Sequence, residues 1–201
     1  MEACIGIKDR IFEQIQASPA HSVFFIKDFS GLGSTITIRK ALQEATERGM
    51  LEHIAHGIYV KPMQSRFGIV PVPLEVVASE IAKRDNVQIM PTGETAANII
   101  GISTQIPMVV SFLTTGSSRS IQVGNRSIQF RHAAPRNFAY AGTTVPLIVQ
   151  AFKSIGKDNV TSSDLSAAKS YMLKSPDKPV LKEDLLIAPE WIRSVLKTQL
   201  K

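Results

Sequence analysis

Residues 34–62 restrict the possible folds more than any other stretch of this chain. Ile38, Leu42 and Ala45 recur at spacings of four and three, the signature of a helix that buries one stripe. Ser34 stands where a helix N-cap is needed, since its hydroxyl can accept a hydrogen bond from a free backbone N–H of the first turn. Gly49 ends the helix. Residues 50–55 and 58–61 then flank His56-Gly57, a two-residue turn of the kind that closes a β-hairpin, with Pro62 after it.

Upstream, Ile7, Ile11 and Ile15 recur at four-residue spacing with Phe12 beside them, and Ser18-Pro19 closes that helix. Residues 23–26 suit a short strand or a buried helix entry, and Lys27 to Phe29 allow at most one helical turn. Helix, short helical turn, helix and small β-wing is the order of a winged helix-turn-helix, which presents one end of its last helix to a DNA major groove. Thr35, Thr37, Arg39, Lys40 and Gln43 lie off the buried stripe, towards the N-terminal end, and are residue types that bond base edges or phosphates. Glu44 and Glu47 follow a turn or two later, away from that end. The expected DNA-contacting set is therefore Ser34, Thr35, Thr37, Arg39, Lys40 and Gln43 on the helix, with His56 and Lys61 on the wing. The competing reading of the same face is plain solvation.

Charge adds a second constraint. The net charge is +6, yet residues 1–62 are neutral, with Lys and Arg matched by Asp and Glu, so the excess belongs to the remainder. No acid occurs between Glu94 and Asp158, while Arg119, Arg126, Arg131, Arg136, Lys153 and Lys157 fall inside that gap. These six are expected to form a basic surface for DNA or for a partner protein.

Residues 63–73, with Pro71 and Pro73, read as a linker between a head (1–62) and a body (74–201). In the body, Leu74, Val77, Ala78 and Ile81 make a helical stripe after Pro73, residues 87–90 suit a strand, and Thr92 and Glu94 open a helix. Arg-Ser-Ile-Gln-Val (119–123) and Arg-Ser-Ile-Gln-Phe (126–130) are near copies around Gly124-Asn125. As a hairpin they place Ile121 opposite Ile128, with Val123 and Phe130 on the same face and Ser120, Gln122, Ser127, Gln129 and Arg131 on the other. Helical segments follow: one from Thr144 that stops at Gly156, one capped by Thr161 or Ser162, and a last one from Pro189. The expected class is α+β: an N-terminal winged helix-turn-helix, then a mixed α/β domain with a small antiparallel sheet and C-terminal helices.

Two sets of residues resemble a known family. Thr37-Ile-Arg-Lys-Ala-Leu42, Gly49-Met-Leu51 and His56-Gly-Ile-Tyr-Val60 are similar to the winged-helix domain of AbiEi-type antitoxins, the transcriptional regulators of type IV toxin–antitoxin systems. Pro91-Thr-Gly-Glu-Thr-Ala96, Gly101-Ile-Ser-Thr-Gln-Ile-Pro107, the hairpin with its arginines and Ala134-Pro-Arg136 look like that family's second domain. The resemblance implies a repressor, binding inverted repeats in double-stranded DNA as two copies, that also counters a nucleotidyltransferase toxin, by direct contact or otherwise. The alternative from another class is a winged-helix protein–protein module whose basic body binds an acidic partner.

Enzyme chemistry finds little to work with. Cys4 is the only cysteine, which precludes an internal disulfide and fits a reducing compartment. His53 and His56 lack neighbouring cysteines for metal ligation, and Gly31-Leu-Gly33 has Ile36 where a dinucleotide fingerprint needs a third glycine. Gly116-Ser117 resembles the opening of a nucleotidyltransferase site, but no Asp-x-Asp pair follows it. The expectation is a non-enzymatic cytoplasmic protein without cofactor, metal or membrane span.

Overall fold

The computed structural model describes residues 6–197, and Cys4 lies outside them. The chain divides into two compact units, Met1–Glu80 and Ile81–Lys201, and the division falls inside one helix. The class is α+β, and among the described residues no helix is long and apolar enough to cross a membrane.

The first unit begins with α1 (Ile7–Ala17), β1 (Val23–Phe25) and a 3₁₀ turn (Ile26–Phe29). α2 (Thr35–Glu47) and the hairpin β2 (Glu52–Ala55) and β3 (Ile58–Val60) follow. Ile11, Phe12 and Ile15 of α1 pack with Ile38, Ala41, Leu42 and Ala45 of α2, and Phe24, Phe29 and Leu51 complete the core. The stripe expected on α1 is buried except at its first member, Ile7, which is 37% exposed. Residues 23–25 are a strand: β1 pairs antiparallel with β3, so the sheet order is β1–β3–β2.

Residues 63–73, expected as a linker, contain a second small hairpin, β4 (Met63–Ser65) with β5 (Gly68–Val70). Its turn is organised by Ser65, whose Oγ accepts from the Phe67 N–H at 3.2 Å and donates to the Gly68 carbonyl at 2.9 Å. The His21 ring contacts the Val70 carbonyl at 3.1 Å, so the hairpin belongs to the first unit. α3 (Leu74–Asp85) comes next and buries the expected stripe of Leu74, Val77, Ala78 and Ile81.

The second unit holds β6 (Ile89–Pro91), α4 (Gly93–Ile99), β7 (Val109–Thr114), β8 (Arg119–Val123) and β9 (Arg126–His132). The β8–β9 register is the expected one, with Ile121 opposite Ile128. The small antiparallel sheet expected here is instead a mixed, four-stranded one of order β6–β7–β9–β8. β9, not β8, returns beside β7, so β7 and β9 run parallel with Val110 opposite Ile128 and Phe112 opposite Phe130. The connection between them is β8 itself, lying on the far edge.

α5 (Thr144–Ile155) is the central helix of this unit, buried from Thr144 to Phe152. Around it lie α4, α6 (Ser162–Leu173), α7 (Leu181–Ile187) and α8 (Glu190–Lys197), sharing one apolar core. Asp177 and Asp184 hold the entry to α5. Asp177 accepts from the Thr143 and Thr144 N–H groups at 2.7 and 2.9 Å, and Asp184 accepts from the Ala141 and Gly142 N–H groups at 2.8 Å each. Thr161 caps α6 in a reciprocal arrangement with Asp164.

Candidate nucleic-acid interface

The outer face of α2 is set by its two ends. Ser34 Oγ accepts from the Thr37 N–H at 3.2 Å and lies 2.9 Å from Thr37 Oγ1, which fixes both hydroxyls at the first turn. Gly49 adopts φ +70°, a left-handed conformation that suits glycine at a helix end, and the Met50 N–H then reaches the Ala45 carbonyl at 2.9 Å. With the Ile38–Leu42–Ala45 stripe inward, Ser34, Thr35, Thr37, Arg39, Lys40 and Gln43 are all exposed, as is the hairpin-turn residue His56. Gly57 sits at φ +68°, which the tight turn requires.

Electrostatics divides the helix. Glu44 lies on the side facing α1, where it receives Lys8 at 3.1 Å and Arg48 at 2.5 Å. The Lys8 hydrogen bond above all keeps its carboxyl below the usual range. Glu47 accepts from Gln43 at 3.1 Å. Arg39 and Lys40 make no ion pair among the described residues. The acids of α2 are thus occupied while its two outward cations remain free for an anion.

Between α2 and the hairpin runs a groove of about 500 Å³, lined by Arg39, Gln43, Thr46, His53, His56 and Tyr59 among others. His53 and Tyr59 are cross-strand partners whose rings lie 4.8 Å apart, giving the groove an aromatic floor. His53, Tyr59 and Thr46 were not expected in the site. For His53 and Tyr59 the signal was the parity of the hairpin, which turns them away from buried Ile58 and Val60. Ile36 is a further addition: it is 69% exposed on the first turn, next to Thr35 and Thr37.

Lys61 is elsewhere. Its ammonium donates to the Gln16 and Ser18 carbonyls at 2.7 and 2.6 Å, at the C-terminal end of α1, where free carbonyls and the helix dipole favour a cation. It serves as a helix cap and is removed from the expected contact set.

The six cations of the body do not form one surface. Arg119 donates to Asp85, and its guanidinium lies 5.2 Å from the Phe130 ring centroid. Arg126 donates to the Pro107 carbonyl at 3.2 Å, and its Nε is buried without a partner. Strand alternation explains both, since positions 119 and 126 share the face of Ile128 and Phe130. Arg131, Arg136, Lys153 and Lys157 are exposed on β9, a 3₁₀ turn (Pro135–Phe138), α5 and a 3₁₀ turn (Lys157–Asn159) respectively. Among the described residues no cluster of His, Cys, Asp and Glu is arranged to hold a metal ion.

Residues 10–179 match the profile of a family of unknown function, DUF6088. The chain belongs to that family. No curated protein matches the sequence. Among solved structures, this DUF6088 chain is similar to the RV2827C protein from Mycobacterium tuberculosis, with a TM-score of 0.54 and 14% identity over 96% of this chain and 77% of that one. At that identity the likeness concerns the fold alone.

Proposed function

We propose that residues 7–62 form a winged helix-turn-helix and that the protein is a DNA-binding transcriptional regulator. Supporting the module are the succession of helix, strand, short turn, helix and hairpin and the sheet order β1–β3–β2. The observation that carries the function is that Arg39 and Lys40 make no ion pair among the described residues, on a helix whose acids are occupied and beside the exposed turn at His56. In this reading the Ser34 end of α2 enters a major groove. Thr35 and Thr37 meet bases or phosphates, and Ile36 meets the methyl group of a thymine. Arg39, Lys40 and His56 hold phosphates. Gln43 exchanges its Glu47 contact for a base or backbone group.

The resemblance of residues 37–60 and 91–136 to AbiEi-type antitoxins supports a narrower proposal. The protein represses its own operon, binding inverted repeats as two copies, and counters a nucleotidyltransferase encoded beside it.

The test is affinity for DNA upstream of its own gene across a salt series, for wild type and for Arg39→Ala/Lys40→Ala. Losing two phosphate contacts should reduce the salt slope by roughly two and weaken binding on every sequence. An Arg39→Ala/Lys40→Ala protein that binds like wild type, or a wild type without affinity for that DNA, defeats the reading. For the antitoxin role, co-expression with the neighbouring nucleotidyltransferase should restore growth, and failure to do so rejects it.

A further inference from the structure

A second cavity, of about 510 Å³, lies within the body between the first turn of α4, the outward face of β7 and β9, and α5. That is within the roughly 300–1,000 Å³ of sites that hold cofactor-sized ligands. Two cations line it from different elements, Arg131 of β9 and Lys153 of α5, and neither has a carboxylate partner among the described residues. The Arg131 guanidinium is steadied by donating to Gln129 Oε1 at 3.0 Å. Gln150, only 6% exposed, also lines the cavity. Its Oε1 accepts from Thr92 Oγ1 at 3.0 Å, but its amide nitrogen has no hydrogen-bond partner among the described residues.

The chemistry of the lining selects the ligand. Arginine's planar fork, a lysine ammonium and the Gln150 amide donor together suit a phosphate, which offers several acceptor oxygens and more than one negative charge. Val109, 46% exposed, gives the same cavity an apolar wall for a ring. Glu94, the one carboxylate of the lining, can accept hydrogen bonds from sugar hydroxyls or an amine. We infer that this cavity binds a phosphorylated small molecule of nucleotide size, with its phosphate between Arg131 and Lys153 and its ring against Val109. The site is independent of α2 and does not rest on the DNA-binding reading.

The experiment is isothermal titration of the full chain with the four nucleoside 5′-monophosphates, the matching nucleosides and a short duplex DNA. At least one monophosphate should bind saturably, with its nucleoside at least about tenfold weaker, the scale of one lost charge-assisted contact. Arg131→Gln and Lys153→Gln should each weaken that binding by about tenfold or more, while Lys157→Gln, which removes a cation outside the cavity, leaves it unchanged. The proposal is overturned if no monophosphate binds saturably. It is also overturned if both cavity variants bind like wild type, or if only duplex DNA binds in a manner that depends on Arg131 and Lys153.

Discussion

Asp85, the last residue of α3, draws two arginines onto one carboxylate, and removing its charge should be felt in a defined pH window. Arg84 donates through Nε to Oδ1 at 2.8 Å and through Nη2 to Oδ2 at 3.2 Å, and Arg119 donates to Oδ2 from the sheet edge. These partners, the Arg84 hydrogen bond foremost, pull its carboxyl from 3.8 down to about 2. Taken at face value the drop corresponds to about 2.5 kcal/mol. The side chains of Arg84, Asp85 and Arg119 are 27%, 25% and 38% exposed, and solvent screening lowers the contribution to about 1 kcal/mol. Because the folded-state value is depressed, the stabilisation is complete above about pH 4 and fades as the pH falls towards 2. Trp191, the only tryptophan, packs on the core of the same unit, so its fluorescence during urea unfolding reports the relevant transition. Asp85→Asn should be about 1 kcal/mol less stable than wild type at neutral pH, and less than half that deficit should remain near pH 2. Equal stabilities at neutral pH, or a deficit that persists undiminished in acid, would refute the reasoning.

Other perturbations address the rest of the molecule. Lys61→Met should cost about 1 kcal/mol of first-unit stability by uncapping α1 and should leave DNA affinity unchanged, as read by thermal melts and binding titrations. A loss of affinity without a loss of stability would return Lys61 to the interface. Leu42→Ala empties a fully buried position and should cost about 2–5 kcal/mol in denaturant unfolding of the first unit. Asp177, held below the usual carboxylate range chiefly by the Thr143 N–H, should anchor the start of α5 above about pH 4 and release it as the pH falls below that. Asp177→Asn should therefore speed amide exchange at Thr143 and Thr144 at neutral pH, and exchange equal to wild type would contradict the anchoring role.

Much of the first unit was legible because its signals are local. Ser34 declares its cap, Gly49 and Gly57 declare positive φ, and the Ile38–Leu42–Ala45 stripe declares which way α2 faces. What escaped was non-local. Nothing adjacent to Val23 says that it pairs with Val60, and nothing adjacent to Val109 says that it runs parallel to Ser127. The β4–β5 hairpin was hidden by the prolines just beyond it and by strands only three residues long. α7 was hidden likewise, a seven-residue helix whose Asp184 is buried to hold a distant loop.

The basic surface shows a different kind of loss. The absence of acids between Glu94 and Asp158 is a count along the chain and carries no direction in space. The strand parity of Arg119 and Arg126 already placed them on the apolar face, so two of the six were recoverable from the pattern itself. The convergence of Arg131 and Lys153 on one cavity was not, because it depends on where α5 lies against β9.

The order β6–β7–β9–β8 also determines how the body can meet other chains. Both rims of that sheet are poor templates for an added strand. β6 is three residues long and ends in Pro91, which has no N–H to offer, and β8 carries exposed Arg119, Ser120 and Gln122. Backbone pairing is the least selective way for chains to join, because every peptide group can take part in it. With both rims blunted, the sheet discourages adventitious pairing with other chains and leaves association of the body to side chains, where a few residues decide which partner is accepted.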